Sequence, residues 1–464
     1  MTSARGVHAA DALLPGGWAR DVAIEWDAEG VITSVRTGEP GPARLPAAPG
    51  PVLPGLCNLH SHAFQRVFAG LAEHRGSDRD SFWTWRDRMY RAANAVTPDQ
   101  LDAIATYLFV EMLEAGFTSV CEFHYLHHDR DGRPYDDPAT LATCVTRAAA
   151  RCGIGLTMLP VLYQQGGFGG QPPAEGQRRF VTRTDDLLRL VERLRMAASG
   201  HQRVGLALHS LRAVTPEAIR DALDGLAAID GTAPVHVHVA EQVREVEECV
   251  AWSGQRPVAW LLDHAPVDTR WCLVHATHMD ADETARAAAS GAVAGLCPTT
   301  EANLGDGVFG LPGWTAAGGR WGVGSDSHVT VDGAEELRLL EYSQRLTLGR
   351  RNVAADERQP HSGTALVLAA VAGGAAASSR SVGGIAPGQR ADLVVLDAAH
   401  PAVAGLPAPE ALDVHVFASH RTSAVTTVIA AGRAVVEHGR HALRASAAAA
   451  FIAARAGLRL APPA

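Results

Sequence analysis

Two hydrophobic periods alternate along most of this chain. Short apolar runs bounded by Gly, Pro, Asn or Asp read as buried strands. They are Val52 to Leu56, Phe117 to Phe123, Ile154 to Leu162, Val204 to His209, Val235 to Ala240, Trp271 to His275, Ala292 to Cys297 and Trp321 to Ser325. Between them lie longer stretches with apolar residues three and four apart, the period of an amphipathic helix. Thr97-Pro98-Asp99 and Thr215-Pro216-Glu217 each offer a good N-cap followed by proline at the first helical position. Pro138 to Arg151, Asp185 to Ala198 and His361 to Ser379 read as further helices. Eight apolar strands, each followed by a helical stretch, predict a (β/α)8 barrel of the TIM type. A doubly wound open sheet is the alternative, but no Gly-x-Gly-x-x-Gly turn follows an early strand.

Both ends depart from this rhythm. Ala9 to Leu14, Asp21 to Trp26 and Gly30 to Arg36 read as short strands, and Gly38 to Pro51 as a linker rich in Pro and Gly. Near the other end, Gly384 to Gly388 reads as a turn, and Ala391 to Leu396 and Val425 to Ala430 as strands. Gly432 turns into Ala434 to Glu437 as a hairpin. Ala-rich Ala372 to Ala377 and Ala447 to Ala450 read as helix. The pattern predicts one small β-domain from residues 1–50 and 381–464, beside a barrel over residues 51–380.

In a barrel the loops after the strands share one mouth, so residues far apart in sequence converge there. The first apolar run leads into His60 and His62, two residues apart, which a strand points to one face. The fifth strand reads Val235-His236-Val237-His238-Val239-Ala240-Glu241, and the sixth ends Val274-His275. The eighth runs into Gly324-Ser325-Asp326-Ser327-His328. Three histidines and one carboxylate suit a hydrolytic Zn²⁺ that keeps a position for water. His60, His62, His238 and Asp326 are the expected ligands, one zinc per chain, with His238 preferred over His236 because it lies nearer the strand end. Glu241, His275 and Asp326 are the expected catalytic set. Each also has a plain structural reading: a surface carboxylate for Glu241, a packed strand histidine for His275, an Asx-turn or helix N-cap for Asp326. His124, His127, His128, His278 and His328 read as structural or solvent-exposed.

Composition narrows the chemistry. All 41 basic residues are arginine, since the 464-residue chain has no lysine. Schiff-base catalysis, a Walker lysine and a carbamylated lysine bridging two metals are excluded. A net charge of −9 gives no electrostatic reason to bind nucleic acid or anionic membrane. No apolar run reaches the length of a membrane span, and the N-terminal residues lack the pattern of a secretory signal. The seven cysteines contain no Cys-x-x-Cys pair, and Cys57, Cys121, Cys272 and Cys297, in apolar strand-like runs, read as small buried hydrophobes in a reducing cytoplasm.

The ligand pattern, Glu241 three residues after His238, and the C-terminal Gly384-Ile385-Ala386-Pro387-Gly388-Gln389-Arg390-Ala391-Asp392-Leu393-Val394 together resemble the amidohydrolase superfamily, in its mononuclear zinc deaminase branch. That resemblance spans nearly the whole chain and implies that the end strands form a small β-sandwich. Within the branch, four stretches are similar to formimidoylglutamate deiminases: Asn58 to Arg66, Phe82-Trp83-Thr84-Trp85-Arg86, Glu122-Phe123-His124-Tyr125 and His209-Ser210-Leu211-Arg212. It implies hydrolytic deimination of N-formimino-L-glutamate in histidine degradation, a homodimer, and a substrate pocket of Gln65, Arg86, Tyr125, His209 and Arg212. Taken alone, Arg212 follows the fourth strand and should reach the mouth. Arg86 sits among aromatics, where surface stacking is an equal reading. Tyr125 can donate to a carboxylate or simply pack. Two guanidinium forks suit a dicarboxylate substrate. They argue against guanine or a related heterocycle, the rival substrate. A metal-binding barrel without catalysis is the rival of another class, and the intact Glu241, His275 and Asp326 set argues against it.

Overall fold

The computed structural model describes residues 5–38, 44–74, 82–200, 202–418 and 422–458. Its centre is a run of eight parallel strands: Leu56–Ser61, Phe117–His124, Gly155–Leu162, Leu206–Ser210, Val235–Val239, Trp271–His275, Val293–Leu296 and Arg320–Val323. They pair in sequence order, first to eighth, as a (β/α)8 barrel requires. A short extra strand, Gln202–Val204, pairs with the third. The seam between the eighth strand and the first is closed by site residues. Asp326 N–H donates to the His60 carbonyl at 3.0 Å, and His62 N–H donates to the Asp326 carbonyl at 3.3 Å.

The end strands form a second sheet of eight. Its order is Arg440–His441, Arg433–Glu437, Val425–Ala430, Leu393–Leu396, Val52–Pro54, Gly6–Leu14, Gly17–Trp26 and Ile32–Arg36. They hydrogen-bond along one continuous path. Ile24 and Ile32 from one half share a core with Leu393, Val395 and Ile429 from the other. Part of the linker expected over Gly38 to Pro51 lies outside the described residues.

Three details differ from the sequence pattern. The apolar run Val52 to Leu56 is not one strand. Val52–Pro54 belongs to the end sheet, between Gly6–Leu14 and Leu393–Leu396. The barrel strand begins at Leu56 and continues through the histidines. Gly55 makes the crossing: its N–H donates to the Asp392 carbonyl at 2.9 Å, and a Cβ there would collide with the Thr118 side chain. The fourth strand likewise breaks at Gly205 and starts at Leu206. Finally, Phe82–Ala95 is a helix, in a stretch for which the hydrophobic pattern predicts no element. Phe82, Met89, Ala92 and Ala93 form its buried side, at helical spacing. The aromatic residues at its start are weak helix formers, so packing decides the conformation.

The surrounding helices bury one face against the barrel. Helix Pro98–Glu114 carries the predicted cap as a full capping box. Thr97 Oγ1 accepts from Gln100 N–H, and Gln100 Oε1 accepts from Thr97 N–H at 3.0 Å. Helix Ser362–Ser378 lies on the first and eighth strands through Gly373 and Gly374, where a side chain would strike Trp321 or Cys57. Among the described residues no helix is long and apolar enough to cross a membrane.

Candidate metal and active site

His60 sits near the end of the first barrel strand, His62 just past it, and His238 near the end of the fifth. Asp326 lies just past the eighth strand in a left-handed conformation, φ 45°. Their donor atoms converge. His60 Nε2 is 3.1 Å from His62 Nε2 and 2.9 Å from His238 Nε2. Asp326 Oδ1 is 3.4 and 3.2 Å from the Nε2 atoms of His60 and His62. His62 Nδ1 faces the Phe123 carbonyl at 3.0 Å, and His238 Nδ1 faces the His209 carbonyl at 2.9 Å. Each Nδ1 therefore carries the proton, which leaves both Nε2 atoms as bare acceptors aimed at one point. Burial pulls the His60 imidazole down to about 3, so it too is neutral. Lone pairs from three neutral rings and a carboxylate meeting in a buried site call for a cation. Tetrahedral ligands about 2.0–2.1 Å from a zinc lie roughly 3.3 Å from one another, close to the spacing seen. The four residues fit a metal ion.

A cavity opens above this cluster. Every expected substrate residue lines it: Gln65, Arg86, Tyr125, His209 and Arg212, together with Glu241, His275 and the candidate metal-holding residues His62, His238 and Asp326. His60 lies beneath, fully buried. Tyr90, Tyr163, Phe180, Met89 and Trp85 complete the wall without having been marked by the sequence reading.

The polar groups are arranged by charge. His275 Nε2 is 3.9 Å from both Glu241 Oε1 and Asp326 Oδ2, while its Nδ1 is 3.3 Å from Glu301 Oε1. Burial pulls the His275 imidazole down, but Glu241, Glu301 and Asp326 together outweigh it and push it up to about 10. Burial raises the Glu241 carboxyl to about 6, against the pull of His275 and Arg212. Arg212 Nη2 is 3.9 Å from Glu241 Oε2. The Nε atoms of Arg86 and Arg212 are both buried without a hydrogen-bond partner. Arg86 also stacks on Trp83, 4.4 Å from the ring centroid, so the surface-stacking and pocket readings are both met by one side chain. Gln65 Nε2 donates to Tyr125 Oη at 2.8 Å. Ala240, His275, Ala276, Asp326 and His328 all have φ between 45° and 65°. Left-handed backbone at five non-glycine residues around one mouth is the strain that functional sites concentrate.

A match to a family profile now has its structural setting. The profile described as Amidohydrolase family matches residues 52–435, spanning the barrel and the ligand set. The chain belongs to this family. Within the amidohydrolases, residues 4–43 match the profile described as Formimidoylglutamate deiminase HutF, N-terminal domain. A formimidoylglutamate deiminase of Pseudomonas aeruginosa is 52% identical over 450 residues, 96% of this chain and 98% of that one. The crystal structure of an amidohydrolase from Brucella melitensis superposes with a TM-score of 0.92 at 49% identity, covering 98% and 99% of the two chains. An adenosine deaminase from Xanthomonas campestris, solved with bound zinc, shares the fold at 21% identity and a TM-score of 0.78, covering 98% of each chain.

Other groups near the site were not marked by the sequence reading. Glu301, one turn into the short helix Pro298–Leu304, accepts from the Cys297 N–H at 2.8 Å as well as facing His275. A carboxylate just after the seventh strand was its only sequence signal. Glu245 accepts from the N–H groups of Ala240 and Glu241 and so fixes the backbone beneath Glu241. Of the remaining histidines, His236 bonds the Ala377 carbonyl at 2.8 Å. His124, His127 and His328 are buried, and His128 and His278 are half-buried against carbonyl oxygens.

Proposed function

We propose that this amidohydrolase hydrolyses N-formimino-L-glutamate to N-formyl-L-glutamate and ammonia, with one zinc held by His60, His62, His238 and Asp326. The carrying observation is the pair of guanidinium groups, Arg86 and Arg212, with buried and unpartnered Nε atoms in the cavity that also holds Glu241 and His275. Buried unpaired donors of this kind are complementary to carboxylates. The P. aeruginosa relative, 52% identical over 98% of its length, supports the same substrate.

Zinc held by these four residues would supply Lewis-acid chemistry, making water acidic enough to attack near neutral pH. The protein's own groups then do the following. Arg86 and Arg212 hold the two substrate carboxylates, with Tyr125, Gln65 and His209 shaping the wall around them. The formimino carbon is thereby presented above the metal cluster. Asp326 accepts a proton from the attacking water at its Oδ2, the oxygen that faces His275. His275, held by Glu301, donates toward the oxygen as negative charge develops on it. Glu241, ionised, pairs with the amidine nitrogens and relays the proton taken from the water at Asp326 to the nitrogen that leaves as ammonia, while the hydroxyl proton of the collapsing tetrahedral carbon is lost to these carboxylates and on to solvent. The C–N bond to that nitrogen breaks, and the C–O bond becomes the formyl carbonyl. Chemistry is thus assigned to residues 51–380, and the end strands serve as support. The seven buried free cysteines fit a reducing cytoplasm, and we carry the homodimer forward to be tested by light scattering.

The test is ammonia release by purified, zinc-loaded protein from formiminoglutamate, formiminoaspartate and guanine. Formiminoglutamate should be fastest and formiminoaspartate slower, because it keeps both charges but shortens the reach. Faster turnover of guanine would overturn the substrate while leaving a metal-dependent deaminase.

A further inference from the structure

Beneath the cavity, outside the chemistry above, a chain of buried polar groups crosses the barrel from the second strand to the eighth. Glu122, on the second strand, is 2% exposed. Its Oε2 accepts from Ser61 Oγ–H at 2.5 Å, and its Oε1 accepts from Ala63 N–H at 2.7 Å. The next residue, Phe123, takes the His62 Nδ1 proton at its carbonyl. The pair Glu122-Phe123 thus grips the tripeptide Ser61-His62-Ala63 at three successive points, with a metal ligand in the middle. From Ser61 the chain goes on. Ser61 Oγ is 3.2 Å from His328 Nε2, and His328 Nδ1 is 2.9 Å from Ser325 Oγ. Ser325 Oγ accepts from Asn58 Nδ2 at 2.6 Å, and Asn58 Oδ1 accepts from Ser325 N–H at 3.1 Å.

The order of protons in this chain is fixed by its ends. Asn58 Nδ2 can only donate, so Ser325 passes its hydroxyl hydrogen on to His328 Nδ1. His328 then donates from Nε2 to Ser61, and Ser61 donates to Glu122. Every hydrogen has one acceptor, and the carboxylate is the terminus toward which all of them point. Asn58, Ser61, Ser325 and His328 are completely buried, so no water replaces a lost partner. Two links of the chain flank the proposed ligands: Ser61 lies between His60 and His62, and Ser325 precedes Asp326. Since the seam between the first and eighth strands holds few backbone bonds, side chains do the joining there.

We propose that Glu122, Ser61 and His328 are positioning residues for the metal site, acting through a one-way hydrogen-bond chain that sets the spacing between the His60/His62 pair and Asp326. This rests on the metal-ligand reading above, which zinc content of the parent protein tests separately. Glu122→Gln is nearly isosteric but reverses the terminus. Its amide must donate to Ser61 if its oxygen keeps the Ala63 N–H. Ser61 then donates to His328, and Ser325 is left with a hydroxyl hydrogen and no acceptor. Ser61→Ala cuts the chain instead, and makes the polarity of residue 122 irrelevant to what lies beyond.

The experiment loads parent, Glu122→Gln, Ser61→Ala and the double variant with zinc, and follows metal transfer to a chromogenic chelator. The visible spectrum of each cobalt(II)-substituted protein is also recorded. Each single variant should release zinc at least about 10-fold faster, the low end for lost supporting hydrogen bonds around a metal, and shift the cobalt band. The double variant should release zinc no faster than the worse single one. Parent-like release with an unshifted band in Glu122→Gln, or effects that multiply in the double variant, would overturn the chain as a unit. Should Glu122→Gln fail to fold, Ser61→Ala and Ser61→Ala combined with His328→Gln carry the same comparison. A parent that binds no zinc refutes the ligand assignment instead.

Discussion

Replacing Arg212 with Met should damage turnover more than replacing Arg86, and the structure gives the sizes. Arg212 is 8% exposed, its Nε is unpartnered, and Glu241 Oε2 stands 3.9 Å away. Cutting one end of a buried carboxylate–guanidinium pair costs about 2–5 kcal/mol, much of it from the charge left without a partner. For so enclosed an arginine the middle of that range applies, about 3–4 kcal/mol, or roughly 10²–10³-fold in kcat/KM. Arg86 is half-buried and already stacked on Trp83, so solvent screens more of its loss. About 2 kcal/mol, roughly 30-fold, is expected there. The assay is coupled ammonia release from the formimino derivatives of glutamate, aspartate, glutamine and glycine. Each variant should narrow the advantage of the glutamate derivative over the one lacking the carboxylate that arginine holds. The reasoning fails if both variants keep more than about a third of parent kcat/KM, since that is less than 1 kcal/mol. It fails equally if the loss is the same on every substrate, for then neither arginine discriminates charge.

Four further outcomes are expected. Metal analysis should give about one zinc per chain, and His238→Ala should lose it; two tightly held metals at full activity would contradict the four-ligand site. Glu241→Gln should retain zinc while kcat falls at least about 10²-fold, and loss of zinc would show a ligand role instead. The kcat/KM of the parent should fall as pH drops through about 6, because burial raises the Glu241 carboxyl to that value and its protonated form cannot pair with a cationic amidine; a profile flat to pH 5 would remove Glu241 from that role. Gly373→Ala should lower the melting temperature sharply, because its Cβ would land on the Trp321 backbone at an overpacking cost of about 1–3 kcal/mol or more; unchanged melting would mean that helix Ser362–Ser378 shifts without penalty.

The barrel and the convergence of His60, His62, His238 and Asp326 were legible because strand periodicity and strand ends are local properties. His60, His62, His238 and Asp326 each follow an apolar run directly, so counting strands was enough to bring them together. Arg86 was harder. Its helix, Phe82–Ala95, is stabilised by burying Phe82 and Met89 rather than by propensity, and its aromatic start matches loop and helix alike. Glu301 and Glu122 have no local signature. One looks like an ordinary first-turn acid and the other like a misplaced charge in a strand; only the positions of His275 and Ser61 explain them. The split at Gly55 was hidden for the opposite reason. Val52 to Leu56 is uninterrupted in hydrophobicity, and the break arises because two sheets compete for its backbone hydrogen bonds.

That split also dictates when the protein can finish folding. Val52–Pro54 is held on one side by Gly6–Leu14, which leaves the ribosome first, and on the other by Leu393–Leu396, which leaves near the end. The strand one residue beyond it carries His60 and leads into His62, and Asp326 closes the barrel against that same strand. A nascent chain therefore holds this strand against Phe117–His124 alone through most of synthesis, with its other edge open until the eighth strand arrives. Such long-range pairing is slow to form and leaves an open strand edge meanwhile. Metal captured before the fifth strand emerges would meet only His60 and His62 of the four clustered residues, a weak and unselective pair, so selective loading has to wait until His238 and Asp326 are in place.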